Sequence, residues 1–153
     1  MIPKTLHFIW IGDQSKKPER CIDTWVQKNR DYKVKIWGNN EVQGTNWKNY
    51  RQLHDMLIKK DFAGASDVMR YEILYEHGGV YIDADSVCLK PLEDWLLDCD
   101  AFAVWEQEHI RNNLIANGFV PTQGLFSTVG GWRETPARNA YPYLVNEIGR
   151  AHV

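Results

Sequence analysis

Five consecutive residues, Tyr81-Ile82-Asp83-Ala84-Asp85, carry a pair of closely spaced carboxylates. On an extended strand alternate side chains share a face, so Asp83 and Asp85 are expected to point the same way. Two carboxylates that close repel each other unless a cation lies between them. Their oxygens suit hard divalent ions such as Mg²⁺ or Mn²⁺, which commonly bridge diphosphates. At the end of a parallel strand the pair would face the ligand crevice of an α/β sheet. The plain alternative is a polar turn after a strand, where Asp is common.

Asp67 and Arg70 stand three apart, which places them on one face of a helix. As an exposed ion pair they would matter little. The surrounding stretch is apolar nearly all round, so a half-buried pair at the mouth of a crevice is the other reading. Trp10, in His7-Phe8-Ile9-Trp10, either stacks on a flat ligand ring or packs in the core. His7 reads as a hydrogen-bonded core histidine rather than a metal ligand. His54, His77 and His109 show no ligand spacing with one another. There is no GxGxxG after the first apolar stretch, no GxxxxGK[ST] and no GxSxG. The chain has three cysteines, an odd number with no CxxC pair, which disfavours a disulfide framework or zinc ribbon and suits a reducing cytosol.

These residues need elements to position them. Residues 6–11 read as a first strand, apolar on both faces. Pro18 sits where helices begin, and Cys21, Ile22, Trp25 and Val26 follow at helical spacing. Residues 32–37 alternate as a second strand, closed by a turn at Gly38-Asn39-Asn40. Strand, helix, strand opens a βαβ unit. Residues 47–60 form an amphipathic helix with Tyr50, Leu53, Met56 and Leu57 on one side. Ser66 is expected to cap a mostly buried helix over 67–77, which puts Asp67 in its first turn. Gly78-Gly79 ends that helix. Residues 80–83 form a short strand that 87–89 resumes, and 101–105 form another. Residues 106–132 are polar and Gly-rich without a strong period.

The chain has 153 residues, which fits one domain. Apolar residues at 44% and charged residues at 25% support a packed core and exclude wholesale disorder. Eighteen basic against 20 acidic residues give a net charge of −2, so no basic field exists to hold nucleic acid. The opening residues lack a signal-peptide pattern, and no window reaches the apolar length of a membrane span.

Taken in order, several motifs resemble one group. Ile2-Pro3-Lys4 with His7-Phe8-Ile9-Trp10-Ile11-Gly12 is similar to the opening of DXD-containing sugar-nucleotide glycosyltransferases of GT-A fold. Ser66-Asp67-x-x-Arg70, Leu74, Gly78-Gly79-x-Tyr81-x-Asp83-x-Asp85 and Leu89-x-Pro91-Leu92 resemble their central signature. The group includes bacterial capsular-polysaccharide transferases, fungal initiating mannosyltransferases and the catalytic domains of glucosylating toxins. The resemblance implies a Rossmann-like α/β domain. It implies that Trp10 stacks on the nucleotide base, and that Asp67 and Arg70 grip the donor sugar and its phosphate side. It implies that Asp83 lies close to ribose and metal, and that Asp85 ligates Mn²⁺ or Mg²⁺ directly. Ile9, Ser66 and Tyr81 belong with them in the donor site.

The function so implied is metal-dependent transfer of a hexose from a UDP- or GDP-sugar to a saccharide or other acceptor, with retention. Two alternatives stay open. One is a non-catalytic nucleotide-sugar or glycan-binding module. The other is a phosphohydrolase with Asp83 as nucleophile and Asp85 as acid. Similar enzymes continue further and supply a late metal-binding or donor-covering segment, so the domain, residues 1–146, is expected to be truncated at its C-terminus. Asn117-Gly118 is the expected approach to the acceptor side. Residues 147–153 (EIGRAHV) resemble the translation of a sequencing-adapter DNA and are expected to be a non-native tail. A cytoplasmic location is expected, with no membrane segment in this stretch.

Overall fold

A computed structural model describes residues 1–102 and 119–122. Strand β1 spans Thr5–Ile9, helix α1 Glu19–Lys28 and strand β2 Lys33–Trp37. Helices α2 (Asn39–Gly44), α3 (Tyr50–Ile58) and α4 (Phe62–His77) follow. Strands β3 (Gly79–Ile82) and β4 (Phe119–Thr122) complete a sheet of order β2-β1-β3-β4. β1 pairs in parallel with both β2 and β3, and β4 runs antiparallel to β3.

The period of two along β1 sorts its side chains onto two faces. Leu6 and Phe8 join Val80 and Ile82 of β3 in one core, covered by Ile22 and Trp25 of α1. Ile9 joins Tyr81 in the other, covered by Leu53 of α3 and by Met69, Ile73 and Leu74 of α4. Leu6 and Phe8 are fully buried, each contributing roughly 1.5–3 kcal/mol relative to an exposed position. The sheet is therefore covered by helices on both faces, as a doubly wound parallel sheet requires.

The polar positions on the inner strands follow the same logic. His7 is buried between β2 and the start of β3. Its Nε2 lies 2.8 Å from the Gly78 carbonyl, and Trp37 Nε1 donates to its Nδ1 at 3.2 Å. These partners fit a neutral ring carrying its proton on Nε2. Burial lowers the ring's pKa to about 4. The expectation of a core histidine holds. Gly79 has φ +104°, and a Cβ there would meet the Thr5 carbonyl at 2.7 Å and His7 Nε2 at 2.9 Å. Only glycine lets β3 begin so close to β1.

Several expected elements differ. Gly38 is not part of a turn; it precedes α2, and the Glu41 carboxylate accepts from its amide at 2.7 Å. Ser66 does not cap the third long helix. Asp61 does, accepting from the Gly64 amide at 2.9 Å, so α4 starts at Phe62 and Asp67 lies in its second turn. A carboxylate three residues before a free amide is as good a cap as serine, and Gly64 costs too little to break the helix. Residues 87–89 form no strand; Ala101 makes only an isolated antiparallel bridge to Thr122. The readings of residues 103–118 and 123–153, including Asn117-Gly118 and the 147–153 tail, lie outside the described residues. Sequence pattern does not announce β4, because Pro121 hides it.

Candidate active site

The chain leaves β1 on one side to form β2, then returns across β1 to form β3. That reversal is a switch point, and ligands of open α/β sheets bind there, outside the carboxyl ends of the strands. A cavity of about 480 Å³ lies at this place. Ile9, Trp10 and Ile11 from the end of β1 line one wall, and Tyr81, Asp83, Ala84 and Asp85 from the end of β3 line the other. Ser66 and Arg70 of α4 reach in from the side.

The β3 wall is set by a turn. β3 stops at Ile82, so the two acids do not share a strand face as expected. Ser86 donates to the Asp83 carbonyl from its amide at 3.0 Å and from its hydroxyl at 2.7 Å. Those bonds fold residues 83–86 back on themselves and deliver both carboxylates to the same cavity. Helix α1 fixes that turn. Trp25 Nε1 donates to the Ser86 hydroxyl at 3.1 Å. Thr24 Oγ1 accepts from the Cys88 amide at 2.9 Å, and Asn29 Oδ1 accepts from the Leu92 amide at 2.8 Å. Local spacing does not reveal these three positions as site supports, because their partners lie some sixty residues away in sequence.

Arg70 organises the charges. It is buried, and its side chain is only 2% exposed. One terminal nitrogen lies 3.0 Å from Asp67 Oδ1 and 3.5 Å from Asp83 Oδ1. Its guanidinium carbon sits 4.2 Å from the centre of the Tyr81 ring, a cation–π stack. Tyr81 donates its hydroxyl to Asp83 Oδ1 at 2.9 Å. Burial holds that phenol above its ordinary range, so it remains a donor across neutral pH. Ser66 Oγ lies 3.4 Å from the same arginine nitrogen. The half-buried reading of the Asp67–Arg70 pair is thus the correct one, and Asp83 is drawn into it from another element.

Asp85 is exposed, and its carboxylate has no hydrogen bond or ion pair among the described residues. Asp83 is partly open at 26% side-chain exposure. The donor set is therefore two carboxylates, one free and one steadied by Tyr81 and Arg70. No group of three or more His, Cys, Asp or Glu suited to a metal occurs among the described residues. Two carboxylates still fit Mg²⁺ or Mn²⁺, which take one or two from protein and the rest from phosphate and water.

The β1 wall is equally fixed. Trp10 is half-buried: it packs against the first core and also lines the cavity. Its Nε1 donates to the Asp13 carbonyl at 3.0 Å. Asn39 grips the adjacent Gly12, accepting from its amide at 2.8 Å and donating to its carbonyl at 2.9 Å. Gly12 has φ +95°, and a Cβ there would strike the Phe62 ring at 2.9 Å. Asp13, Lys16 and Phe62 also line the cavity, and sequence reading missed them. Only the adjoining Gly12-Asp13 hinted at a loop there.

A second cavity of about 280 Å³ lies against Trp37, Trp47 and His77, near the other end of α4. Its Glu72 carboxylate already caps the start of α3, accepting from the amides of Lys48 and Asn49. It offers no comparable set of open groups.

Comparison with known proteins agrees with this geometry. The chain is 31% identical over 127 residues to an uncharacterised glycosyltransferase of Acanthamoeba polyphaga mimivirus, covering 78% of this chain and 49% of the viral one. It is 34% identical over 104 residues to the initiation-specific alpha-1,6-mannosyltransferase of Candida albicans, covering 61% and 27%. The chain thus spans about half, or less, of the curated relatives it matches. The solved PaToxG glycosyltransferase superposes with a TM-score of 0.69 at 17% identity, covering 97% of this chain and 64% of that one, which shows a shared GT-A-type α/β fold. The family described as "Glycosyltransferase sugar-binding region containing DXD motif" matches residues 15–103. This chain belongs to that glycosyltransferase family.

Proposed function

We propose that this chain forms the donor site of a metal-dependent enzyme that transfers a hexose from a nucleoside-diphosphate sugar to a saccharide or other acceptor, with retention. The observation that carries the reading is Arg70 and Asp83 beside the Asp85 carboxylate in the cavity at the switch point between β1 and β3, with Asp67 paired to Arg70 from outside the cavity lining. Relatives named as mannosyltransferases favour mannose as the hexose. The nucleotide is UDP or GDP.

In this reading the half-buried Trp10 ring offers its face to the base, with Ile9 and Ile11 as apolar floor. Asp83 and Asp85 would hold Mn²⁺ or Mg²⁺, which when bound offsets the negative charge of the departing nucleoside diphosphate. Arg70, held by Asp67 and by the Tyr81 ring, presents a fixed cation to the sugar–phosphate side. Its partners hold it in place before the ligand arrives, so little reorganisation is needed as charge develops. Asp83 places negative charge where an oxocarbenium-like anomeric centre would form, and Asp67 acts on the donor side through Arg70. The acceptor would approach from the open side of the cavity. No helix among the described residues is long and apolar enough to cross a membrane, and a cytoplasmic site of action is part of the proposal.

A phosphohydrolase needs Asp83 free to attack phosphorus. Its Oδ1 is already occupied by Tyr81 and faces Arg70, which disfavours that alternative.

The test is calorimetric titration of UDP and GDP into the chain, with and without Mn²⁺. Binding of one nucleotide only in the presence of metal is expected. A folded chain that binds neither under both conditions refutes the donor-site reading. Binding without turnover of the matching sugar nucleotide, with acceptors supplied, leaves the binding-module reading in its place.

A further inference from the structure

The short 3-10 turn at Gln14–Lys16 puts Lys16 into the lining of the same cavity as Asp83 and Asp85. Asp13 builds it. The Asp13 carboxylate accepts from the Ser15 amide at 3.0 Å and from the Ser15 hydroxyl at 2.6 Å. Those bonds hold it below the usual carboxylate range, so the support remains ionised at neutral pH. Gln14 Nε2 donates to the Trp10 carbonyl at 3.1 Å, and the Lys16 and Lys17 amides close the turn onto Asp13 and Gln14. The turn is thus locked to the residue proposed to meet the base.

Two lysines leave this turn, and their surroundings differ. Lys17 lies 3.5 Å from Glu19. Lys16 lines the cavity and makes no ion pair or hydrogen bond through its ammonium group among the described residues. Arg70, the other cation lining the cavity, is already shared between Asp67 and Asp83.

A charge count shows what this leaves. A divalent cation with Asp83 and Asp85 sums to zero, Arg70 with Asp67 sums to zero, and the Asp13 carboxylate of the lining adds one negative charge. The diphosphate of a sugar nucleotide brings about two more negative charges, so the ion and Arg70 draw it into surroundings that, without Lys16, are negative overall. We propose that Lys16 contacts that diphosphate directly, as a phosphate-binding cation that acts alongside the divalent ion. This rests on the donor-site reading above. A lysine suits this role because a compact charge on a flexible stem can follow phosphate oxygens without a fixed fork. The turn behind it is rigid, so only the side chain has to be ordered on binding.

The experiment compares wild type with Lys16→Met, Lys16→Arg and Lys17→Met. UDP, GDP, uridine and guanosine are titrated in Mn²⁺ at low and at raised salt. Lys16→Met is expected to weaken the bound diphosphate about twofold to fivefold, the range for an exposed charge contact. The matching nucleoside is expected to bind all variants alike, Lys16→Arg to restore affinity, and Lys17→Met to match wild type. The advantage of wild type over Lys16→Met should shrink as salt rises. Equal diphosphate affinity in wild type and Lys16→Met overturns the inference and leaves the donor site standing. So does an equal loss in Lys17→Met, or a loss for the nucleoside as large as for the diphosphate. A wild type that binds no nucleotide overturns the donor site and the lysine contact together.

Discussion

His7 couples the stability of the crevice to pH, and the size of the effect follows from its surroundings. Its Nδ1 is taken up by Trp37 Nε1 as a donor, so a second proton has no place on that nitrogen. Unfolded, the ring takes up a proton near 6.5; folded, only near 4. Between these values the unfolded chain binds more protons, so stability falls as pH falls. Above 6.5 both states hold a neutral ring and this group adds no pH dependence. The loss comes to roughly 3 kcal/mol by about pH 4. His7→Gln is the control, since an amide can accept from Trp37 and donate to Gly78 without titrating. Urea unfolding of both proteins at half-unit steps from pH 7.5 to 4.5 gives the difference curve. His77, whose own pKa is lowered by burial and Lys35, is present in both proteins, and its charge, which also lowers the His7 pKa, acts on the difference in the same direction. The wild type should lose stability relative to His7→Gln along that curve. A difference that stays flat to within about 0.5 kcal/mol would refute the assignment of a neutral, doubly hydrogen-bonded ring.

Four substitutions test the rest. Asp85→Asn should abolish metal-dependent nucleotide binding while changing stability by less than about 0.5 kcal/mol, as expected for an exposed side chain; metal-dependent binding equal to wild type by calorimetry would remove Asp85 from the metal site. Trp10→Ala should weaken nucleotide binding by about 1–3 kcal/mol if the ring stacks on the base, and unchanged affinity in the folded variant would make it a core residue alone. Arg70→Met removes the cation that Asp67 and Asp83 share, and should cost about 3–5 kcal/mol of stability in chemical denaturation; a loss under about 1 kcal/mol contradicts the buried-pair reading. Gly79→Ala should unfold the chain or lower its melting temperature sharply, because the new methyl meets the Thr5 carbonyl at 2.7 Å; a near-normal melting curve would mean that β1 and β3 are not so tightly apposed.

The sequence is most legible where one element determines its own form. The apolar run at the N-terminus announces β1, and Gly78 ends α4 with φ +62°, as a helix-stopping glycine should. Asp67 and Arg70 meet because three residues on a helix nearly complete a turn. Legibility fails where a partner comes from far along the chain. The Arg70–Asp83 approach needs α4 packed on β3, and no local spacing encodes it. Alternation along a strand puts the two acids on one face, but the Ser86 bonds to the Asp83 carbonyl form a turn instead. Both arrangements bring the two carboxylates to one cavity, but the chain does so by a turn rather than by a strand face. Ser66 misled because serine is so common a cap, while Asp61 earlier in the chain holds the helix start. Lys16 carried no signal, since an exposed lysine beside another lysine has no period to betray it.

The two-armed hold of Asn39 on Gly12 bears on the speed of ligand capture. It ties the loop after β1 to the start of α2, so the chain gives up that loop's freedom while folding rather than at encounter. A wall already in shape meets a nucleotide without waiting for a segment to close. Capture is then governed by diffusion and by the fraction of collisions in the right orientation. The observed rate should climb in proportion to nucleotide concentration, with no plateau from a slow internal step. Loosening the hold at position 39 would introduce one, and the delay would surface in the kinetics at a place distant in sequence from every group that touches the ligand.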